Sequence, residues 1–471
     1  MRKQKQGHSD CLAPNLRLSY NKLIYLDIVK IIFQTIYIFI SLILLSCSSV
    51  VVLFIYLNHV QPHYFIDEVF HVPQTLQYCA NNFTQWDPKI TTLPGLYLLA
   101  TAILSPLNLC NIFYMRSINL LGTFVNLYLA YNILERISFI RRRQRWNNWM
   151  KLAIAYNIML FPPLFFWHFL YYTDIVSVNA VLLMLLLHLR ERFKTAAFLG
   201  FLSVLIRQTN IIWVAFIAVE CVNWNYSIYL EFVCQECHGL ASFLKFVTRV
   251  CIELLPYATV CFLFLAFVIW NKGIVVGDRT AHVPTIHIPQ LLYFSAFLSC
   301  FLWPYTIVRW KSYLDFVRKH WIFGSCLLIV LTVIVHYNTL VHPYMLADNR
   351  HYVFYFWNKS MGRYRLFKYL LIPVYSFTLY TVYYGIKHLR FTTQINYFIM
   401  VSAVLIPQLL IEPRYFIIPY IFYRLLIQKP KKWQIVMELV TTLVVNFLQF
   451  YIFVNKVFYW SDQPHPQRIS W

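Results

Sequence analysis

The amino-acid sequence predicts an all-α polytopic membrane protein with roughly 12–14 transmembrane helices. Its 471 residues are 60% hydrophobic and 12% charged, against about 25% charged in soluble domains. Runs of about 20 apolar residues, long enough to cross a hydrocarbon core as helices, recur along nearly the whole chain. The runs are continuous rather than alternating, which excludes a β-barrel. With 10 glycines in the chain, close GxxxG packing is not the main assembly device.

The elements follow in order. Residues 1–30 are basic and polar and read as a cytosolic segment. The apolar run at about 31–57 exceeds a signal-peptide core and reads as a retained signal anchor. Residues 58–91 then form a lumenal loop. Further spans are expected at 92–108, 111–135, 152–172, 175–190, 196–217, 253–270, 289–308, 321–340, 364–386, 395–411, 414–427 and 434–455. Those at 92–108 and 414–427 are short enough to be re-entrant. No composition shift divides residues 31–455, so they read as a single transmembrane domain, followed by a tail at 456–471.

The 40 basic residues against 18 acidic give a formal charge of +22. The basic residues fall in short clusters between apolar runs, the positive-inside pattern rather than a nucleic-acid surface. Clusters at 141–145, 309–319 and 429–432 all belong in the cytosol, and the spans above cannot satisfy all three. The eleven cysteines show no disulfide framework, and Cys234 and Cys237 make a lone CxxC without a second pair at zinc-finger spacing. Sequons begin at Asn82, Asn225 and Asn358, of which Asn82 falls in the lumenal loop.

Chemistry concentrates at span ends. Acidic residues are scarce, yet Asp67, Glu68 and Asp87 fall in one loop with His71. Carboxylates at a membrane surface suit general-base work, because partial burial raises their pKa toward the working pH. An ordinary solvated loop would carry the same residues. Asp348-Asn349-Arg350-His351 offers phosphate-binding groups, though a charged rim on an aromatic belt reads the same way. Arg207 lies within an apolar stretch, where an arginine is costly unless paired, wetted or snorkelled. Asp174, Arg279 and Arg414 sit at span ends, where the two arginines could simply pair with neighbouring acids. Walker A, GxGxxG, HExxH and GxSxG patterns are absent.

Taken together, Asp67-Glu68-Val69-Phe70-His71, the run from Gln85-Trp86-Asp87-Pro88 to Tyr97, Arg207-Gln208-Thr209-Asn210 and Ala347-Asp348-Asn349-Arg350-His351-Tyr352 resemble the dolichyl-phosphate-glucose α-1,2-glucosyltransferase family. Gly277-Asp278-Arg279 and Arg414-Tyr415-Phe416 fit as well, and the similarity runs from about residue 60 to the C-terminus. The chain departs from the pattern in its basic N-terminus, a short 219–252 region, Pro413 in place of an aromatic, and Asp174 in place of Glu.

The resemblance implies a GT-C-type glycosyltransferase of the endoplasmic reticulum membrane with its active site facing the lumen. It would move glucose from dolichyl-phosphate glucose to the terminal glucose of the dolichyl-diphosphate oligosaccharide, with inversion. The alternatives are another polyprenyl-phosphate-dependent transferase, such as a mannosyltransferase, or a transporter, channel or channel accessory subunit. On this reading Asp67 is the base and Glu68 orients the substrate or tunes Asp67. Arg350 and His351, with Arg207 and Arg279 behind them, hold the donor phosphate. Gln85, Trp86, Asp87 and Tyr97 line the acceptor end, although Trp86 could be only an interfacial anchor. No metal or cofactor is expected, and the trio Asp67, Glu68 and His71 is the one place a metal could sit. Partners are the two lipid-linked substrates and the bilayer, with no nucleic acid.

Overall fold

The computed structural model describes residue 41 and residues 44–140, 146–233, 240–279, 284–428 and 430–471. The basic segment 1–30, the Arg141–Arg145 cluster, the Cys234/Cys237 pair and Lys429 lie outside the described residues. The chain divides into two compact units, Met1–Val60 and Gln61–Trp471. In the first, the apolar helix α1 (Leu44–Val60) corresponds to the later part of the expected anchor.

The second unit begins where a loop was expected and forms a helix instead, α2 (Glu68–Cys79), with Asp67 at the N-cap position but its side chain making no capping bond. His71, Val72, Thr75 and Tyr78 are buried at helical spacing. Pro73 inside the helix and the polar composition hide that pattern in the sequence. Helix α3 (Gly95–Leu104) runs into a 3-10 turn at Ser105–Leu107. It begins on Gly95 because a β-carbon there would meet the Leu205 carbonyl at 2.7 Å.

Helix α4 (Ile112–Ile140) is the first long one of this unit. The expected span at 152–172 is broken at Phe161 into α5 (Asn148–Met159) and α6 (Pro162–Trp167), because Pro162 and Pro163 favour a new helix start. Helices α7 (Thr173–Leu189) and α8 (Phe193–Ile206) pack against each other. After a 3-10 turn at Gln208–Asn210 come α9 (Ile211–Val233) and α10 (Leu240–Asn271). Then follow α11 (Pro289–Phe301), the short α12 (Trp303–Thr306), α13 (Trp310–Lys319) and α14 (Trp321–Asn338). Between α14 and α18 lie α15 (Pro343–Ala347), α16 (Tyr352–Lys359) and α17 (Phe367–Leu370). The chain ends with α18 (Ile372–Ile386), α19 (Phe391–Leu405), α20 (Ile417–Leu426), α21 (Lys432–Asn455) and a small antiparallel pair, β1 (Val457–Phe458) with β2 (Gln467–Arg468).

Among the described residues, five helices are long and apolar enough to cross a membrane: Ile112–Ile140, Gln208–Leu230, Ser242–Asn271, Trp321–Asn338 and Lys432–Asn455. A sixth candidate is Pro289–Phe301 with Trp303–Lys319, bent by 93°. The other apolar helices are shorter, including Thr173–Leu189, Phe193–Ile206 and Phe391–Leu405. Many expected spans are thus shorter or broken, with Pro, Gly or charged residues at their ends.

Helix ends sort the described basic residues, the Arg141–Arg145 cluster and Lys429 lying outside them. Arg116 near the start of α4, Asp174 at the start of α7, Arg207 at the end of α8 and Arg414 before α20 converge on the start of α2. Arg468 donates to the carbonyls of Phe453 and Val454 at the end of α21 and to Gln61, bringing that end to the same side. Among the described residues, the turns 190–192 and 387–390, residues 430–431 and the link 307–320, which carry Lys and Arg, lie at the opposite helix ends. Two features differ from the expected spans: 92–108 begins and ends near the same cluster, with Thr91 held by Gln208 and Arg116 on Glu68, and 196–217 is two helices broken at Arg207–Asn210.

One ion pair lies deep in the bundle. Arg424 and Glu438 are both buried and bonded at 2.7 and 2.8 Å, and the Tyr305 hydroxyl donates to the same carboxylate. The outward faces carry exposed apolar groups such as Leu255, Phe262 and Ile269 of α10, which suit a lipid boundary.

Candidate active site

The adjacent acids Asp67 and Glu68 point to different tasks. Glu68 is fully buried. It accepts two bonds from Arg116, at 2.8 and 2.6 Å, and one each from the backbone N–H of Phe65 and Tyr171. Arg116 also donates to the carbonyls of Gln61 and His63. Glu68 therefore fixes the turn that starts α2 and has no open face for a substrate. In that turn Ile66 has φ 47°, a left-handed conformation costly for a β-branched residue.

Asp67 is the open member, with its side chain one-third exposed. Its Oδ2 accepts from Arg414 at 2.8 Å, and its backbone N–H donates to the Tyr172 hydroxyl, which donates to the Phe65 carbonyl. Burial pushes the Asp67 carboxyl upward. Arg414, through its charge and its hydrogen bond, leads the influences that outweigh it and hold the group below its usual range.

Arg414 is the hub of the cluster. It bonds Glu412 and Asp67, lies 3.9 Å from Asp174 Oδ2, and stands over the rings of Trp167 and Tyr172 at 5.1 and 5.5 Å. Arg207 bonds the other oxygen of Asp174. Asp174 is 2% exposed, and its Oδ2 has no hydrogen-bond partner. A buried carboxylate oxygen left in that state is costly unless something else donates to it. His71 is neutral: burial drives its pKa down to about 4, and its Nδ1 is 2.6 Å from the Tyr97 hydroxyl.

The other expected phosphate ligands sit differently. Arg350 is clamped onto Asp348 by bonds of 2.9 and 2.7 Å and stacks on Trp460 at 4.6 Å. Burial pushes Asp348 up, but its bonds with Arg350 bring it below the usual range. His351 Nδ1 lies 2.7 Å from the Trp471 carbonyl and is within electrostatic reach of Asp67. Ser470 pairs with the backbone of Arg350 and Tyr352, and Trp460 donates to Asn349. Residues 456–471 are therefore no loose tail: they order the Asp348–Tyr352 segment. Arg279 is exposed and bonded to Asn271 and the Lys272 carbonyl, with no bond to the Asp67 cluster.

Of the expected acceptor residues, Gln85 is exposed and Asp87 half-buried, its Oδ1 accepting from Lys89 N–H. Trp86 is half-buried against Tyr97, and its ring N–H has no partner. Tyr97 is completely buried, so its ring presents no face to a sugar; its hydroxyl serves His71 instead. The segment is held from outside by Gln208, which donates to the Thr91 carbonyl, and by Gly277. Gly277 has φ 67°, and a β-carbon there would lie 2.3 Å from the Pro88 carbonyl oxygen. Among the described residues no group of three or more His, Cys, Asp or Glu is arranged to hold a metal ion. Glu68 is engaged by Arg116, so the Asp67, Glu68 and His71 trio does not converge.

Cys79 and Cys110, 31 positions apart, form a disulfide, which corrects the reading that the cysteines show no disulfide framework. It ties the end of α2 to the residues just before α4, six positions ahead of Arg116. Sequence reasoning also missed Arg116, an arginine inside an apolar run whose burial demanded an acid partner. It left Asp174 and Arg414 ambiguous because their partners are distant in the chain.

A one-sided cluster of carboxylates and guanidiniums at the ends of apolar helices defines a polytopic membrane protein with a polar site at one set of helix ends. The chain belongs to the DIE2/ALG10 family, whose profile matches residues 61–425. It is 36% identical over 463 residues to a human Dol-P-Glc:Glc(2)Man(9)GlcNAc(2)-PP-Dol alpha-1,2-glucosyltransferase, covering 91% of this chain and 98% of the human protein. Proteins of the same name match from Drosophila melanogaster, 35% identical over 87% of this chain and 94% of the relative, and from Arabidopsis thaliana, 30% identical over 88% and 96%. No solved structure matches.

Proposed function

We propose that this chain transfers glucose from dolichyl-phosphate glucose to the 2-hydroxyl of the terminal glucose on the dolichyl-diphosphate oligosaccharide, at the lumenal face of the endoplasmic reticulum membrane. One observation carries the reading: in a chain whose relatives bear that activity in their names, the open carboxylate of Asp67 stands beside two guanidiniums at the ends of the helices. The acceptor oxygen attacks the anomeric carbon, the bond from that carbon to the phosphate oxygen breaks, and its electrons leave with dolichyl phosphate. The acceptor proton goes to Asp67. Arg414 and Arg207 meet the donor phosphate and the charge that grows on it. His351 borders the same space, and Arg350 acts through it, because its own fork is occupied by Asp348. The unpartnered Oδ2 of Asp174 accepts from a sugar hydroxyl, and the Trp86 ring N–H donates to one.

Two features support a lumenal site. A disulfide belongs to an oxidising compartment, and Cys79–Cys110 is on the site's side. The Lys- and Arg-rich turns lie at the opposite helix ends, as cytosolic turns do. The test is transfer of radiolabelled glucose by purified protein from synthetic dolichyl-phosphate glucose to the lipid-linked acceptor. Asp67→Asn should lose about 100- to 10,000-fold in rate while the protein accumulates normally. Near-normal transfer by that variant, or equal use of dolichyl-phosphate mannose by the unmodified protein, would refute the assignment.

A further inference from the structure

At the opposite helix ends from Asp67, a cavity of about 340 Å³ opens among α11, α18, α20 and α21. It is bordered by Arg309, Tyr384, Lys387, His388, Tyr423 and Gln428, among others. Its distance from the active site follows from α20: Arg414 precedes that helix and Gln428 follows it, roughly 20 Å apart at 1.5 Å per residue.

Charge in this cavity is uncompensated. Arg309 and Lys387 sit 4.0 and 3.9 Å from the centroid of the same ring, Tyr384. Neither side chain makes a hydrogen bond or ion pair among the described residues, and no carboxylate lines the cavity. Several arginines elsewhere in the protein are treated differently. Arg116, Arg207, Arg350, Arg414 and Arg424 each rest on a carboxylate. Arg309, half-buried, rests on none. A ring attracts a cation, but two cations gathered at one ring repel each other, and an anion bound by both lessens the repulsion. The guanidinium supplies a planar fork and the ammonium a point charge, the two modes in which protein cations meet phosphate. Basic pockets between membrane helices on the Lys- and Arg-rich face are where phosphate-bearing head groups bind.

We propose that this cavity is a binding site for a phosphate group, carried by an anionic lipid or by a free phosphate, distinct from the donor site. The test uses the full chain in detergent with dioctanoyl phosphatidic acid as probe and zwitterionic dioctanoyl phosphatidylcholine as control. The acid should bind saturably, and the double variant Arg309→Gln with Lys387→Gln should weaken it about tenfold or more. A second double variant, Lys311→Gln with Lys319→Gln, removes exposed charges outside the cavity and should bind like the parent. Competition by inorganic phosphate assigns the site to free phosphate; its absence assigns it to a lipid head group, and both support the proposal. Equal binding by parent and cavity variant, or equal loss in both variants, overturns it. Unchanged glucosyl transfer and melting temperature without ligand show that the cavity variant is folded. If it does not accumulate, Lys387→Gln alone, at an exposed position, carries the same comparison with a smaller expected loss.

Discussion

Replacing Arg414 by Gln tests how Asp67 is kept ionised. The guanidinium is 2.8 Å from Asp67 Oδ2 and is its nearest cation. Burial alone would raise the Asp67 pKa, and Arg414 is the largest influence opposing it. With Arg414 gone, burial acts unopposed by that charge, and Glu412 and Asp174 lose their shared counter-ion and add like-charge repulsion. All three changes raise the pKa. An opposite charge at contact distance shifts a carboxylate by about 1–3 units, each worth about 1.4 kcal/mol. In the parent the base form of Asp67 survives below the ordinary carboxylate range; in Arg414→Gln it should be lost about 1–3 units higher. The readout is the acid limb of kcat/KM against pH, with the parent's stability checked at each pH. The rate itself should also drop by about 100- to 1,000-fold, as for loss of a donor aimed at developing charge. An acid limb unmoved or displaced downward in Arg414→Gln would refute the coupling of the two residues, whatever the rate.

Three further outcomes follow from contacts of the site. Glu68→Gln leaves Arg116 buried without its charge partner and should destabilise the fold by about 3–5 kcal/mol, seen as a lowered melting temperature; an unchanged melting temperature would deny Glu68 its positioning role. Cys79→Ser with Cys110→Ser opens a loop of 31 residues and should cost about 3–4 kcal/mol of stability, measured by thermal unfolding with and without reductant, which should have no effect on the variant. Asp174→Asn should raise KM for the acceptor more than it lowers kcat, because the lost group accepts from a bound hydroxyl; an effect on donor KM alone would move Asp174 to the phosphate side.

Periodicity and composition reveal the class of the fold but not its breaks. Continuous apolar runs mark the membrane helices, yet 196–217 reads as one span because the interruption at Arg207–Asn210 is only four residues long. Structurally those residues are where the chain leaves α8, bonds Asp174 and Thr91, and turns into α9. Asp67 was legible as a scarce acid at a span end. Its separation in role from Glu68 was not, since Arg116 stands 48 positions from Glu68 and adjacent acids look alike in sequence. Arg414 is 347 positions from Asp67, and local reasoning assigns it only its neighbour Glu412. Residues 456–471 carry no motif, and their role in holding Arg350 and His351 rests on backbone pairing that leaves no compositional trace.

The charges around Asp67 have a consequence for the proposed chemistry. Asp67, Asp174 and Glu412 bring three negative charges, and Arg207 and Arg414 bring two positive ones, leaving one excess carboxylate. An excess of that sign would repel a phosphate bound among the acids, so on the proposed roles the donor phosphate approaches from the guanidinium side, with His351 at its edge. It suits the other half of the reaction. As the bond to the leaving phosphate lengthens, the glucose ring gains positive, oxocarbenium-like character, which nearby carboxylates stabilise. When the acceptor proton reaches Asp67, that carboxylate is neutralised and the negative charge has moved to dolichyl phosphate, closer to the arginines. On the proposed roles Arg414 bonds Asp67 before the reaction and can release it once it is protonated, while its Nε stays on Glu412, so one side chain keeps the base ionised at the start and favours the leaving group at the end.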